Sequence, residues 1–133
     1  MKYSWLDDYF LEKQGVIKEF KEEWNATKYV IGGKMFALQG TDKTTRPIIT
    51  LKLSPADGDF LRQQHEDIIP GYYMNKVHWN SVYLDSSIPD DLLREMIDKS
   101  YTLVFKGLTK KAQKEIIARA PKSLSADAAG NPL

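Results

Sequence analysis

Trp5, Leu6, Tyr9 and Phe10 fall on one helical face near the start of the chain. Ser4 stands before them as an N-cap, Asp7 three residues on imitates a capping box, and Gly15 is placed to end the helix. Residues 16 to 24 are dense in charge, with Val16, Phe20 and Trp24 four apart; helix, edge strand and loop all fit them. Residues 27–31 and 34–39 are two short β-prone runs around Gly32-Gly33, the pattern of a hairpin. Residues 40–46 are polar and read as a loop. From 47 to 53 the chain alternates, with Ile49, Leu51 and Leu53 on one face and Ile48, Thr50 and Lys52 on the other, which predicts a half-buried strand.

Ser54-Pro55 is a helix start, serine as cap and proline in the first turn. The pattern carries that helix to about His65, with Phe60 and Leu61 inward. Gly58 weakens it by roughly 1 kcal/mol relative to alanine. Residues 67–75 read as a loop around Pro70-Gly71. A strand follows over 77–84, where Val77, Trp79, Val82 and Leu84 change face midway and suggest a bulge near Asn80. The strongest helix is capped by Ser86 or Ser87, with Pro89, Asp90 and Asp91 in its first turn. It buries Leu93, Met96, Ile97, Tyr101 and Val104 and stops at Gly107. Thr109 caps a last helix from Lys110 to about Ala120. The order predicts one α+β domain over 1–120, a two-layer sandwich of an antiparallel sheet with helices on one face. Residues 121–133 are small and polar and read as a disordered tail.

Composition adds limits. The 133 residues are 42 % apolar and 28 % charged, with net charge +1, so any attraction for nucleic acid has to come from a local patch. There is no cysteine, which removes disulfides, cysteine-ligated metals and thiol catalysis. Met1 to Phe10 lacks the basic start and apolar run of a secretory signal, and no stretch approaches the roughly 20 apolar residues of a membrane span. A cytoplasmic location is the expectation.

Candidate chemistry concentrates in Pro70-Gly71-Tyr72-Tyr73-Met74-Asn75-Lys76-Val77-His78-Trp79-Asn80. Tyrosines and tryptophan can stack, asparagines can donate and accept, and histidine titrates near neutrality. No catalytic motif accompanies them, and the only other histidine, His65, is too isolated for a metal site. Asn75 can equally hold a turn on its own backbone. Together with Lys34, the residues Asn75, Lys76 and His78 could line a polar cleft. Charge is uneven: residues 102–133 hold six basic and two acidic residues, a balance of +4, whereas residues 1–23 hold four basic and six acidic, a balance of −2. Lys106, Lys110, Lys111 and Lys114 make the C-terminal part a candidate phosphate-contact surface.

Gly32-Gly33-Lys34-Met35-Phe36-Ala37, the block 70–80, Ile88-Pro89-Asp90-Asp91-Leu92-Leu93 and Asp98-Lys99-Ser100-Tyr101 resemble the MmcQ/YjbR family of small bacterial proteins. The resemblance covers about residues 5–117. It implies an α+β sandwich similar to type III secretion chaperones, and a DNA-binding role in which hairpins act as a double wing against the duplex. On that reading Lys34, Lys76, Lys106, Lys110, Lys111 and Lys114 contact phosphates, and Asn75, His78 and Asn80 are the polar readers. No enzymatic activity, cofactor or metal is expected, and a monomer is favoured. The alternative is a protein- or peptide-binding module using Tyr72, Tyr73 and Trp79.

Overall fold

The hairpin forms where the two glycines predict it. Gly32 and Gly33 both adopt positive φ, +57° and +79°, the pair of left-handed residues that a two-residue turn between twisted strands requires. The computed structural model describes residues 2–72 and 74–119. Within them the chain runs α1 (Leu6–Glu12), β1 (Ile17–Lys21), a 3-10 turn (Glu22–Trp24), β2 (Ala26–Ile31), β3 (Lys34–Thr41), β4 (Pro47–Lys52), α2 (Pro55–Gln64), β5 (Ile68–Pro70), β6 (Trp79–Tyr83), α3 (Asp90–Lys106) and α4 (Lys110–Ala118). The strands form one sheet in the order β1-β2-β3-β4-β6-β5, and every neighbouring pair is antiparallel. The expected tail, 121–133, lies outside the described residues.

The core lies between the sheet and α1, α2 and α3. Phe10 stacks on Tyr29 at 4.1 Å and meets Phe36 edge-on at 5.7 Å. Leu93, Met96, Ile97 and Val104 of α3 are buried with Ile49, Leu51 and Val82, each contributing roughly 1.5–3 kcal/mol by leaving water. Tyr3 donates its hydroxyl to the Ile88 carbonyl at 2.8 Å, tying the N-terminus to the entry of α3. No helix among the described residues is long and apolar enough to cross a membrane.

Ser100 joins the two layers. Its buried hydroxyl accepts the Lys52 N–H at 2.8 Å and donates to the Phe36 carbonyl at 2.6 Å. The β3–β4 register, ending at Ala37 opposite Leu51, would next pair Phe36 with Lys52. The hydroxyl stands between the two groups that would otherwise bond. Across β3's other edge the register slips: Tyr29 faces Ala37 but Val30 faces Met35, so Phe36 is an extra residue, a bulge.

Several local expectations are corrected. The 16–24 segment is an edge strand followed by a 3-10 turn. The cap of α1 is Trp5 with no side-chain bond; Asp7 instead accepts from Tyr29 Oη at 2.8 Å and pairs with Lys18 at 2.9 Å. The bond from Lys18 chiefly holds the Asp7 carboxyl below its ordinary value. That contribution is present above the ordinary carboxylate pKa and is lost as pH falls below it. The cap of α3 is Pro89, while Ser86 bonds within the preceding turn. Phe60 points outward, 61 % exposed. Strand β4 is not half-buried, since Ile48, Ile49, Thr50 and Leu51 are all buried. The supposed loop 67–75 contains β5, and β6 starts at Trp79 with no register shift at Asn80. Residues 76–78 form a turn closed by Trp79 N–H on the Asn75 carbonyl at 3.0 Å, which leaves Val77 exposed and explains the apparent change of face.

Ser100→Ala leaves the Phe36 carbonyl and the Lys52 N–H without their partner. A loss of about 1–3 kcal/mol follows from stranding buried polar groups; urea unfolding checks it, and an unchanged midpoint would remove Ser100 from this role.

Candidate nucleic-acid interface

Antiparallel pairing puts five connections at one end of the sheet and four at the other. At the first lie the β2–β3 turn and the α1–β1, β4–α2, β5–β6 and α3–α4 connections. Here a Cβ on Gly32 would stand 2.7 Å from Leu108 Cδ1, so the hairpin tip touches the α3–α4 turn. This contact brings Lys34 into the neighbourhood of Lys106, Lys110, Lys111 and Lys114. All five are exposed.

The turn is fixed without help from these lysines. Gln113 Nε2 donates to the carbonyls of Phe105 at 3.1 Å, Lys106 at 3.3 Å and Leu108 at 3.0 Å, satisfying the end of α3. Thr109 Oγ1 caps α4 by accepting from Ala112 N–H at 3.1 Å. Lys110 and Lys111 occupy the first turn of α4, which has no acidic residue. Cations there oppose the helix dipole, an arrangement that local stability alone does not favour. No sequence signal marks Gln113 beyond its place four residues after Thr109.

Ion pairing separates these lysines from seven other cations, although among the described residues Lys2, Lys21, Lys43 and Lys76 have no carboxylate partner either. Lys13, Lys18, Lys28, Arg46, Arg62, Arg94 and Lys99 each have a carboxylate partner. Lys34, Lys106, Lys110, Lys111 and Lys114 have none among the described residues. Lys52, opposite Trp79, adds an unpaired charge at the same end. Of the acidic residues at this end, Asp57 pairs with Lys99 and Asp59 with Arg62, while Glu115 of α4 has no ion-pair partner among the described residues. The opposite end carries Glu22, Glu23, Asp42, Glu66, Asp67, Asp85, Asp90 and Asp91 against Lys2, Lys43 and Arg46. Arg46 is held there by both Asp85 oxygens, at 2.7 and 3.1 Å, and that guanidinium keeps the Asp85 carboxyl below its ordinary value. The net charge of +1 conceals a molecule with one basic and one acidic pole.

The block 70–80 is used differently. Asn75 Oδ1 accepts from Val77 N–H at 2.8 Å and His78 N–H at 3.4 Å, holding its own turn. Lys76 Nζ bonds the Gly71 carbonyl at 2.8 Å. Asn80 is completely buried; its Oδ1 accepts from Arg62 and its Nδ2 donates to the His78 carbonyl at 3.3 Å. A Cβ on Gly58 would stand 2.8 Å from Asn80 Oδ1, which accounts for that glycine in α2. The imidazole of His78 is partly exposed. The structure therefore does not bring Lys34 and His78 into one cleft, and neither they, Asn75 nor Lys76 line any of three cavities of about 490, 310 and 480 Å³.

The largest of these is a groove on the sheet face away from the helices. Trp24, Leu38, Ile48, Tyr72 and Met74 line it. Tyr72 is fixed by its N–H on Ser81 Oγ at 3.0 Å and by Lys43 N–H on its hydroxyl at 2.9 Å. Thr50 and Ser81 share a buried hydroxyl bond of 2.7 Å beneath. Trp79 is half-buried and Tyr73 lies outside the described residues. Among the described residues, no group of three or more acidic, histidine or cysteine side chains could hold a metal ion.

Comparison with known proteins agrees with the fold. The YjbR family model matches residues 11–103. The uncharacterised protein YjbR of Escherichia coli (strain K12) is 34 % identical over 117 residues, covering 88 % of this chain and 98 % of that protein. The uncharacterised protein YbdF of Escherichia coli O157:H7 is 42 % identical over 88 residues, covering 66 % and 71 %. The crystal structure of the Deinococcus radiodurans protein DR2400, a DUF419 domain, superposes with a TM-score of 0.76 at 31 % identity over 91 % of both chains.

Gly71 offers a test of the block's structural role. A Cβ there would stand 2.7 Å from Trp79 Cβ and 2.8 Å from its carbonyl oxygen, and Gly71 N–H donates to that same carbonyl at 2.6 Å. Gly71→Ala is expected to cost about 1–3 kcal/mol, because backbone has to move. A thermal melt superimposable on the wild type would contradict it.

Proposed function

The chain belongs to the YjbR family, and from that premise we propose that it is a cytoplasmic, non-enzymatic DNA-binding protein that grips the phosphate backbone with its basic pole. The observation that carries this reading is the set of unpaired lysines, Lys34, Lys106, Lys110, Lys111 and Lys114, gathered where Gly32 meets Leu108. The β2–β3 hairpin acts as a wing beside the start of α4. The acidic pole orients the approach, since it is repelled by the duplex. Asn80 is buried and Asn75 Oδ1 holds its own turn, so recognition is of backbone more than of base edges, and of the proposed readers Asn75 and His78 keep exposure.

Five phosphate contacts imply a slope of log affinity on log salt of about −4 to −5. Titration of a fluorescent duplex at about 50 and 200 mM salt measures it. Lys110→Glu with Lys111→Glu is expected to lower affinity at the lower salt and to flatten the slope by about 2. Unchanged binding in this variant would dismiss the basic pole as the contact surface, and no binding by the wild type would dismiss the DNA reading itself.

The groove favours a second reading, a module that binds an apolar peptide segment of a partner protein. Its aromatic and aliphatic lining and volume of about 490 Å³ suit one or two buried side chains. Peptides selected on the immobilised protein are expected to lose at least tenfold in affinity on Trp24→Ala; selection of no peptide, or of peptides indifferent to that change, would eliminate it.

A further inference from the structure

Strand β1 lies at the edge of the sheet, and none of its residues is buried. Ile17 is 54 % exposed, Phe20 61 % and, just beyond, Trp24 55 %. An edge of this kind presents unpaired N–H and C=O groups to any strand that can match it. Lysines usually guard such edges, and here Lys18 and Lys21 are present. Their spacing with Glu19 and Glu22 does something more selective.

When an edge strand continues a sheet into its own copy about a two-fold axis, one residue faces itself and its neighbours pair in reverse order. Centred on Lys18 or Lys21, lysine opposes lysine. Centred on Glu19, glutamate opposes glutamate. Centred on Ile17, only one pair of strand residues overlaps. Centred on Phe20, ring faces ring and Glu19 faces Lys21 of the second copy, while Lys18 lies toward Glu22, the first residue of the second copy's 3-10 turn. Each charged residue of the paired strand then lies against its opposite. Cross-strand aromatic and opposite-charge pairs are favourable and like-charge pairs are not, so the pattern selects this register and disfavours the others. Antiparallel pairing also lays the acidic pole of one copy beside the basic pole of the other.

We propose that the chain self-associates through β1, joining two six-stranded sheets into one continuous sheet about Phe20. This departs from the monomer that the sequence favours. The contact is short, so the dimer is weak and forms as concentration rises. Lys18 keeps its bond to Asp7 and Glu19 its bond to Lys28, and both extend into the charge ladder across the axis.

Sedimentation velocity from roughly 10 μM to 1 mM, without DNA, tests the proposal. The wild type is expected to shift from monomer toward dimer. Lys21→Glu sets acid against acid and Glu19→Lys sets base against base, so each variant alone stays monomeric, with folding verified by circular dichroism. An equimolar mixture of the two restores opposite charges at both pairs and recovers the dimer. A wild type that stays monomeric throughout, single variants that dimerise like the wild type, or a mixture that stays monomeric would each overturn it.

Discussion

The hydroxyl of Ser100 holds the two layers in register. It occupies the place of the next β3–β4 ladder bond, between the Phe36 carbonyl and the Lys52 N–H. The bulge at Phe36 makes the insertion possible, because the extra residue changes the course of β3 where α3 crosses it. Phe36 thereby reaches Phe10 on one side and Tyr101 on the other, at 5.7 and 5.5 Å. With α3 fixed along its length, its end is fixed too, and Leu108 meets the hairpin at Gly32. The neighbourhood of five lysines is thus a consequence of a buried hydroxyl about two helical turns away.

Electrostatics follows from the same topology. In an antiparallel sheet with helices on one side, connections alternate between ends. Acidic and basic connections here have been sorted to opposite ends, while the pairs that cross the middle, such as Lys18 with Asp7 and Lys28 with Glu19, neutralise one another. A chain-wide sum erases such an arrangement. The relevant quantity for approach to a polyanion is the local field, which decays over roughly 8–10 Å at ordinary salt, well short of the distance between the two poles.

Much of the fold was legible because its signals are local. Gly32-Gly33 demands a turn, Ser54-Pro55 starts a helix, and the apolar stripe of α3 has one interpretation. The errors have local causes as well. Val77 imitates strand periodicity but belongs to a turn that Asn75 holds. Strand β5 has three residues and ends in proline, too short to show alternation. Phe60 is apolar yet lies on the outer face of α2, and the inner face is taken by Gly58 under Asn80. The bulge was expected at Asn80 and lies at Phe36, where the partner of the inserted carbonyl is a serine 64 residues away in sequence. The lysines of the candidate interface could be named from charge alone; that Lys34 joins them could not, since it depends on the contact between Gly32 and Leu108.

The block 70–80 makes the family recognisable, and its residues are mostly occupied with one another. Gly71 admits Trp79, Lys76 bonds the Gly71 carbonyl, Asn75 closes the turn, and Asn80 links Arg62 to the His78 carbonyl. Such a network tolerates few substitutions, because each buried polar group left unmatched costs about 1–3 kcal/mol. Surface lysines are under no comparable constraint, since moving one by a position barely changes a field built from five. The family motif and the proposed contact surface therefore occupy different parts of one molecule. Here the dense cluster of chemically capable side chains builds a turn, and the free charges stand on helix ends and a hairpin tip that carry little signature of their own.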